Sequence, residues 1–327
     1  MKEAAFYQPR ENNTVQCLLC PHYCVISSGK NGICQGRINI DGSLYSDTYA
    51  KISSLAVDPV EKKPLYHFYP GERVLSIGTY GCNFRCQYCQ NWEISQQKPA
   101  LTTVSPEELV ELACQKNTIG IAFTYSEPSI WYEYILETAS LAQNYDLCVV
   151  LVTNGYINKK PLSTLLPVLD GINVDLKSFR TNFYKDICGG TLNPVLENIK
   201  LMAARVHLEI TTLVIPGEND SQEEGEEIFS WLSTINSDIP VHLTRYFPAY
   251  KFKEAATSLD KMEEIYQIAG KYMNYVYLGN IQGDLGKITR CPVCGRELLV
   301  RDYYTSRKLM KGNKCPQCGK EIYGEFK

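Results

Sequence analysis

Residues 74–91 read Val74-Leu75-Ser76-Ile77-Gly78-Thr79-Tyr80-Gly81-Cys82-Asn83-Phe84-Arg85-Cys86-Gln87-Tyr88-Cys89-Gln90-Asn91. Residues 74–78 predict a strand, and the strand leads into a loop that carries three cysteines. The spacing of Cys82, Cys86 and Cys89 is C-x3-C-x2-C. Three thiolates on one short loop can bind three corners of a [4Fe–4S] cube and leave the fourth iron without a protein ligand. An open position on a metal is where substrate chemistry occurs, whereas a fully ligated cluster serves mainly for electron transfer. The amino and carboxylate groups of S-adenosylmethionine (SAM) can chelate that open iron. Tyr88, just before the last thiol, offers a ring that can pack against adenine. A zinc knuckle is the competing reading. Zinc normally takes four ligands, and no fourth Cys or His follows nearby, so that reading needs a remote ligand.

Downstream of the loop, strands and helices alternate. Ser105 is placed as an N-cap, with Pro106 at N1 and Glu108 at N3, so a helix is expected to run to about Lys116. Residues 119–124 predict a strand, 130–143 a helix, and 147–152 a strand that ends in the Thr153-Asn154-Gly155 turn. Further strands are predicted at 171–176, 207–215 and 241–246, and further helices at 193–204, 221–235 and 258–272. Such alternation predicts an α/β fold of parallel β/α units, with the sheet covered on both sides. Six units fit a partial (β/α)6 barrel of the TIM type, open on one side. A flavodoxin-like open sheet is the alternative. In β/α barrels the chemistry sits in loops after the strand C-termini. The Cys82 loop and residues 124–128, 153–155 and 175–177 all fall there.

The chain has 327 residues, of which 44% are hydrophobic, and a formal net charge of −3. That length fits a core domain of about 200–250 residues with smaller appendages. The expected division is a Cys-rich metal-binding segment at 1–70, a barrel at 71–286 and a tail like a zinc ribbon at 287–327. Residues 1–70 read as irregular, with a Pro-punctuated run at 58–64. The charge argues against a dedicated nucleic-acid surface. No run of 18 apolar residues predicts a membrane span. Residues 1–16 lack an apolar h-region, so no secretory signal is expected and a cytoplasmic location follows.

Eleven of the 14 cysteines lie in three tight groups. Close-spaced thiols in a reducing compartment read as metal sites rather than a disulfide framework. Cys291-Pro-Val-Cys294-Gly and Cys315-Pro-Gln-Cys318-Gly are paired knuckles separated by 20 residues. Four thiolates so spaced predict a closed structural Zn²⁺ site, with rubredoxin-type iron as the alternative. Residues 298–304 are expected to form a strand of this ribbon. Cys17, Cys20, Cys24 and Cys34 form a second set of four, suited to Zn²⁺ or to an accessory Fe–S cluster, with zinc preferred. His22 is an alternative ligand there, or else a neighbour of the site. Cys114, Cys148 and Cys188 stand apart and are read as small buried hydrophobes.

The central motif and the segments after the strands resemble the radical SAM superfamily, and within it the activating enzymes of glycyl radical enzymes, of the pyruvate formate-lyase activase kind. Thr124-Tyr125-Ser126-Glu127-Pro128 resembles the family's Gly-Gly-Glu-Pro segment, with Tyr125 and Ser126 in place of the glycines. Thr153-Asn154-Gly155 and Asp175-Leu176-Lys177 resemble the activases' TNG and DLK segments. The resemblance implies that Ser126, Glu127, Asn154, Asp175 and Lys177 bind SAM. Glu127 would meet its ammonium, Lys177 its carboxylate, and Asp175 a ribose hydroxyl or a bound cation. The match is closer to the radical SAM enzymes of the AmmeMemoRadiSam system. It covers Cys17-Leu18-Leu19-Cys20-Pro21-His22-Tyr23-Cys24, Gly29-Lys30-Asn31-Gly32-Ile33-Cys34, residues 245–251 and the paired knuckles, nearly the whole chain.

The implied activity is reductive cleavage of SAM to a 5′-deoxyadenosyl radical that abstracts hydrogen from a substrate, which a protein or peptide would suit. A ferredoxin or flavodoxin would be the reductant. Arg245, Tyr246 and Tyr250, after the sixth strand, are candidates for substrate or SAM contacts. A glycyl radical enzyme activase is the alternative, against which stand Val152 and Phe247 where activases carry Asp and His. A non-catalytic zinc-binding scaffold is the alternative from another class.

Overall fold

The computed structural model describes residues 1–302 and 305–326. Seven parallel strands form its centre: β1 (Arg73–Gly78), β2 (Gly120–Phe123), β3 (Cys148–Thr153), β4 (Gly171–Asp175), β5 (His207–Val214), β6 (Val241–Arg245) and β7 (Val276–Gly279). They lie side by side in chain order. An antiparallel strand, Ser54–Pro59, completes the sheet along the free edge of β1. The two outer strands do not pair with one another, so the barrel stays open.

The strictly sequential order excludes a flavodoxin-like sheet. In that fold the strand order reverses and helices cover both faces. With right-handed crossovers and no reversal, every helix falls on the same face. Among the described residues, six helices of seven or more residues connect the strands: α1 (Pro106–Gln115), α2 (Tyr132–Ala142), α3 (Lys159–Leu165), α4 (Leu192–Ala203), α5 (Gln222–Asn236) and α6 (Leu259–Gly270). Three of them start where a serine precedes an acidic first turn. Ser105 and Glu108 form a reciprocal capping box, and Ser221 and Ser258 accept from the backbone N–H three residues on.

The period-2 alternation of the strands divides the core. Leu75, Ile77, Ile121, Phe123, Val149, Leu151, Ile172, Val174, Ile210 and Leu243 belong to the main core cluster, which also holds the buried side chains of the helices. Val74, Ala122 and Val150 pack instead with Val60, Leu65 and Phe68. The second face of the sheet is therefore not helix-covered, as the strand pattern suggested. It is filled by residues 60–69, which enter the barrel as a plug. Inward polar side chains hold this plug. Glu209 on β5 accepts from the backbone N–H groups of Tyr66 (2.9 Å) and His67 (2.7 Å), and Asn173 on β4 donates to the carbonyl of Pro64 (2.7 Å).

The N-terminal residues are more ordered than their composition suggested. Two small antiparallel sheets form there: Tyr7–Pro9 with Val15–Cys17 and Val25–Ile26, and Lys2–Glu3 with Arg37–Ile40 and Ser43–Ser46. They rest on the start of α2. Ala5 N–H donates to Glu133, the Trp131 indole donates to the Thr48 carbonyl, and Phe6 meets Tyr132 edge-on. Both carboxylate oxygens of Glu133 also accept from Nη2 of buried Arg37.

The tail closes the other end of the barrel. Ile288–Arg290, Glu297–Asp302 and Thr305–Lys308 make a three-stranded sheet. The expected ribbon strand is seen to Asp302; residues 303 and 304, like residue 327, lie outside the described residues. Tyr323 stacks on His207, its hydroxyl accepts from the Leu208 N–H, and Arg301 donates to the Tyr66 carbonyl. The tail thus grips both the N-terminal end of β5 and the plug. Among the described residues, no helix is long and apolar enough to cross a membrane.

Candidate functional site

A cavity of about 280 Å³ opens at the C-terminal ends of the strands. Cys82, Cys86, Cys89, Tyr88, Ser126, Glu127, Asn154, Asp175 and Lys177 all line it. Nine residues chosen along nearly a hundred positions of sequence therefore face one space. The inward positions Val152, Thr211, Leu213 and Thr244 complete the wall, and Pro64 of the plug reaches it from below.

The cysteine loop is held from several sides. Gly81 has φ +87°, and a side chain there would strike the backbone carbonyl of Cys34. The Cys82 sulfur accepts from the Phe84 N–H at 3.3 Å and lies 3.8 Å from the Asn154 amide nitrogen. Cys89 Sγ and Ser95 Oγ are 3.2 Å apart. Arg85 and Gln87 donate backbone N–H groups to Cys188 and Ile187, and Lys251 N–H donates to the Gln87 carbonyl. Tyr88 is buried against Phe183 and Phe252, with its hydroxyl 3.6 Å from Cys188 Sγ. Cys188 is thus a buried thiol beside the loop rather than a remote core residue. A hydrogen bond from it lowers the Cys86 thiol, against the effect of burial. Cys114 is exposed and Cys148 half-buried, so neither is the buried hydrophobe its isolation suggested.

Glu127 is buried and accepts three hydrogen bonds, from Ser129 N–H (2.9 Å), Thr153 Oγ1 (2.7 Å) and Asn154 N–H (2.8 Å). It caps the turn Pro128–Trp131 and binds the ends of two neighbouring strand loops together. Burial raises its pKa, and these donors oppose the rise. Among the described residues, no cationic side chain forms a salt bridge with it. Burial raises Cys82 well above the ordinary thiol value, and the Glu127 charge adds to the rise.

Tyr125 explains how the chain manages without the two glycines. Its φ is +70°, a left-handed conformation that glycine adopts readily and a bulky residue does not. The Tyr125 hydroxyl donates to Asp58 at 2.8 Å, and the Lys63 ammonium lies 4.5 Å from its ring centre. Asp58 is itself paired with Lys62 (2.9 Å) and Lys63 (2.7 Å). Below, Gly78 leaves room: a Cβ there would lie 2.9 Å from the Thr124 carbonyl oxygen. The Asp58 run, read only as punctuation in the sequence, therefore fixes the loop of Glu127.

Lys177 is half-buried, and its ammonium lies 3.3 Å from the half-exposed Asp175 carboxylate. Burial lowers its pKa, but the charges of Asp175, Cys86 and Cys188 outweigh this and keep it well above the usual lysine value. The Asn154 side chain is engaged within the protein: it donates to Asn83 Oδ1 (2.8 Å) and accepts from the Tyr156 N–H (2.8 Å). Its place on the wall is thus that of a positioning group. Arg245, Tyr246 and Tyr250 do not reach the cavity. Arg245 donates to the Thr257 carbonyl, Tyr246 is buried, and Tyr250 stacks on Trp92 at the rim. Asn83, Asp58 and Cys188 are the participants that sequence reasoning passed over. None has a spacing that distinguishes it from its neighbours.

The sequence profile of the radical SAM superfamily matches residues 76–232. An uncharacterized protein of Methanocaldococcus jannaschii is 41% identical over 317 residues, which are 95% of this chain and 94% of that protein. The chain belongs to the radical SAM superfamily. A putative glycyl-radical enzyme activating enzyme of the same organism is 28% identical to this radical SAM protein over 208 residues, 62% of this chain and 79% of that one. The structure of Streptococcus suis SuiB bound to S-adenosylmethionine shares the fold over 69% of this chain and 53% of SuiB, with a TM-score of 0.51 at 12% identity. Membership implies a [4Fe–4S] cluster and SAM. The donor set of this radical SAM protein suits both: three thiols on one wall, and on the others the buried Glu127 carboxylate, with no salt bridge among the described residues, and the half-buried Lys177 ammonium.

At the opposite end of the barrel, the Cys291, Cys294, Cys315 and Cys318 sulfurs all lie within 4.8 Å of one another. Cys291 and Cys318 are 3.5 Å apart, and Cys294 and Cys315 3.6 Å. A tetrahedral ion with sulfur at 2.3 Å needs edges of about 3.8 Å, so this group is closed to the size of one metal ion.

Proposed function

We propose that this radical SAM protein cleaves SAM reductively in the cavity above β1–β6 and uses it to take hydrogen from a substrate at the barrel mouth. The observation that carries the reading is the convergence of the three thiols, Glu127 and Lys177 on one wall-to-wall cavity. The cluster and SAM, when bound, supply one-electron cleavage of the sulfonium and hydrogen abstraction. Cys82, Cys86 and Cys89 would hold the cluster. Glu127 would meet the SAM ammonium, which supplies the cation that its buried charge lacks. Lys177 would meet the carboxylate and Asp175 a ribose hydroxyl. Tyr88, Val152 and Leu213 give the cavity apolar walls that exclude water. The C-terminal thiols would hold a structural zinc, since four ligands leave no open position.

Within the superfamily, the outer cysteine groups favour the AmmeMemoRadiSam system over an activase proper. Val152 supports this choice: it lines the cavity where an activase would place an acid. A low-potential ferredoxin or flavodoxin is the proposed electron donor, and a protein or peptide the proposed substrate. Incubation with deuterated candidate substrates tests the reading. Deuterium should appear in 5′-deoxyadenosine when the right substrate is present. Failure of the anaerobically reconstituted protein to produce any 5′-deoxyadenosine from SAM would overturn the proposal.

A further inference from the structure

We propose that Cys17, Cys20, Cys24 and Cys34 hold a second [4Fe–4S] cluster, packed against the central site, rather than the zinc their spacing first suggests.

All four residues line one enclosed cavity, together with Leu19, Ile26, Arg37 and Asn83. The hairpin Cys17–Cys24 is closed by the Cys17 N–H donating to the Cys24 carbonyl (2.9 Å), and Gly32 lies 3.8 Å from the Cys24 sulfur at its Cβ position. The space among these residues is about 10 Å³, the least that admits a water-sized sphere. A zinc ion sits about 2.3 Å from each sulfur, so four thiolates on zinc close over a point with no such space. The C-terminal set shows that closed form in the same molecule, with sulfur pairs at 3.5 and 3.6 Å. Among the described residues, only that set brings all its ligand atoms within 4.8 Å of one another. A cube of iron and sulfide needs the open form, with its thiolates held farther apart.

Arg37 supplies an independent observation. Its guanidinium is 1% exposed, pairs with Glu133 at 2.9 Å, and lines the cavity. Its Nε is a buried donor without a hydrogen-bond partner. A buried donor left unsatisfied is destabilising, because it has lost its water without gaining an acceptor. A cluster sulfur or ligated thiolate is an acceptor for it. His22 is not a free ligand in this arrangement: its Nε2 is bonded to the Asn83 carbonyl at 2.7 Å.

The location gives the cluster a partner. Asn83 lines this cavity and follows Cys82 directly. Its Oδ1 accepts from the Asn154 amide, which also faces the Cys82 sulfur. On the other side Gly81 is packed on the Cys34 carbonyl. Two one-electron carriers so close would exchange an electron without other change, one cluster oxidised as the other is reduced, with the external low-potential donor as source.

The test is metal analysis and electron paramagnetic resonance of the full chain after anaerobic reconstitution. Wild type should carry about eight irons and about one zinc, and the Cys82→Ala, Cys86→Ala, Cys89→Ala variant should keep about four irons in a reducible cluster. Cys20→Ala with Cys24→Ala should lose about four irons and keep the zinc. On full reduction the wild-type spectrum should show spin coupling absent from the two variants. A central-site variant without iron, or wild type with two zincs, would overturn the second cluster. A wild-type spectrum equal to the sum of the variants' spectra would overturn its contact with the central site. Should the N-terminal variant fail to fold, the central-site variant decides alone. That variant reads the N-terminal cluster independently of SAM cleavage, so failure here is distinct from failure of the proposed activity.

Discussion

At the far end of the barrel, four thiols on two CPxCG knuckles lie within 4.8 Å of one another, two pairs of them at 3.5 and 3.6 Å. On the loop after β1, three thiols instead border a cavity of about 280 Å³ that they share with Glu127, Asp175 and Lys177. The same side chain serves two ends through ligand count and surroundings. Four sulfurs at one point complete a tetrahedron and leave the metal no chemistry to do. Three sulfurs on a wall, faced by Glu127, Asp175 and Lys177 across a cavity, leave room for a small molecule. Location follows the same logic. The closed set sits beneath the barrel, on the side of the strand N-termini, and the open set sits above, where loop residues converge.

The largest effect should come from removing the open set. The Cys82→Ala, Cys86→Ala, Cys89→Ala variant should lose about four irons and all SAM cleavage, while its zinc content stays at about one per chain. Release of 5′-deoxyadenosine by this variant would break the comparison, because chemistry would then not depend on the three-thiol wall.

Cys315→Ser with Cys318→Ser probes the closed set. Zinc should fall by about one per chain and the tail should become sensitive to protease, since metal binding provides most of the folding free energy of so small a unit. The core beneath the barrel holds Tyr275, Tyr277, Leu298, Leu299, Met310 and Ile322 with Cys291 and Cys315. The plug is gripped by the same tail, so the loss should also lower the melting temperature of the whole chain. Cluster content should persist, and SAM cleavage at least in part. Retained zinc would end the structural assignment.

Glu127→Gln sharpens the contrast within the open site. It keeps the size of the side chain and removes the charge proposed to meet an ammonium. A charge-assisted hydrogen bond is worth roughly 1.5–3 kcal/mol, so SAM affinity should fall about ten- to hundredfold with iron content unchanged. Equal SAM binding by titration would remove Glu127 from the site.

The smallest effect is one of pH, and it belongs to the floor of the barrel, where His67 of the plug meets β7 and the tail. Burial pushes His67 down to about 3. Its ring contacts the Tyr277 hydroxyl (2.5 Å) and the Tyr323 carbonyl (2.6 Å). Unfolded, it binds a proton near its ordinary value of 6.5. Between those values the unfolded chain holds more protons, so stability falls as pH falls. From pH 7 to pH 5 the loss should be roughly 2 kcal/mol. Glu209 acts in the same direction at lower pH. Although burial opposes it, hydrogen bonds from His207 and His242 hold it below its ordinary 4.5, and its contribution is lost as pH falls through the folded value. His67→Gln should flatten the melting temperature between pH 7 and pH 5. An unchanged slope would show that the floor is not the acid-sensitive region.

Much of this molecule is readable from sequence because its signals are local. The capping box of Ser105 and Glu108 depends on a four-residue pattern, and α1 begins there as that pattern requires. The strands from β1 to β6 follow from short apolar runs, and the predicted residues of the central site lie at or just after the ends of the first four of them. Elements without such a signal escaped. Helix α3 has seven residues, strand β7 four, and the strand Ser54–Pro59 contains a proline and an aspartate. The metal-ligand spacings are equally local, and they place eleven cysteines in three groups.

Tertiary structure alone decided the rest. An apolar strand reads the same whether a helix or a plug covers it, so only the fold shows that residues 60–69 fill the barrel. Nothing next to Tyr125 in sequence explains its left-handed backbone; its support, Asp58, lies 67 residues away. Cys188 and Cys86 are farther apart still in the chain, yet adjacent in space. The spacing of Cys17, Cys20, Cys24 and Cys34 allows a zinc ion or a cluster equally, because spacing fixes which thiols can meet and not how closely. How closely they meet is set by packing, by the Arg37–Glu133 pair and the core around Ile26 and Leu19. By itself the sequence determined which thiols group together and where the strands fall along the chain; packing between distant segments determined the order of the strands in the sheet and the sizes of the spaces those thiols enclose.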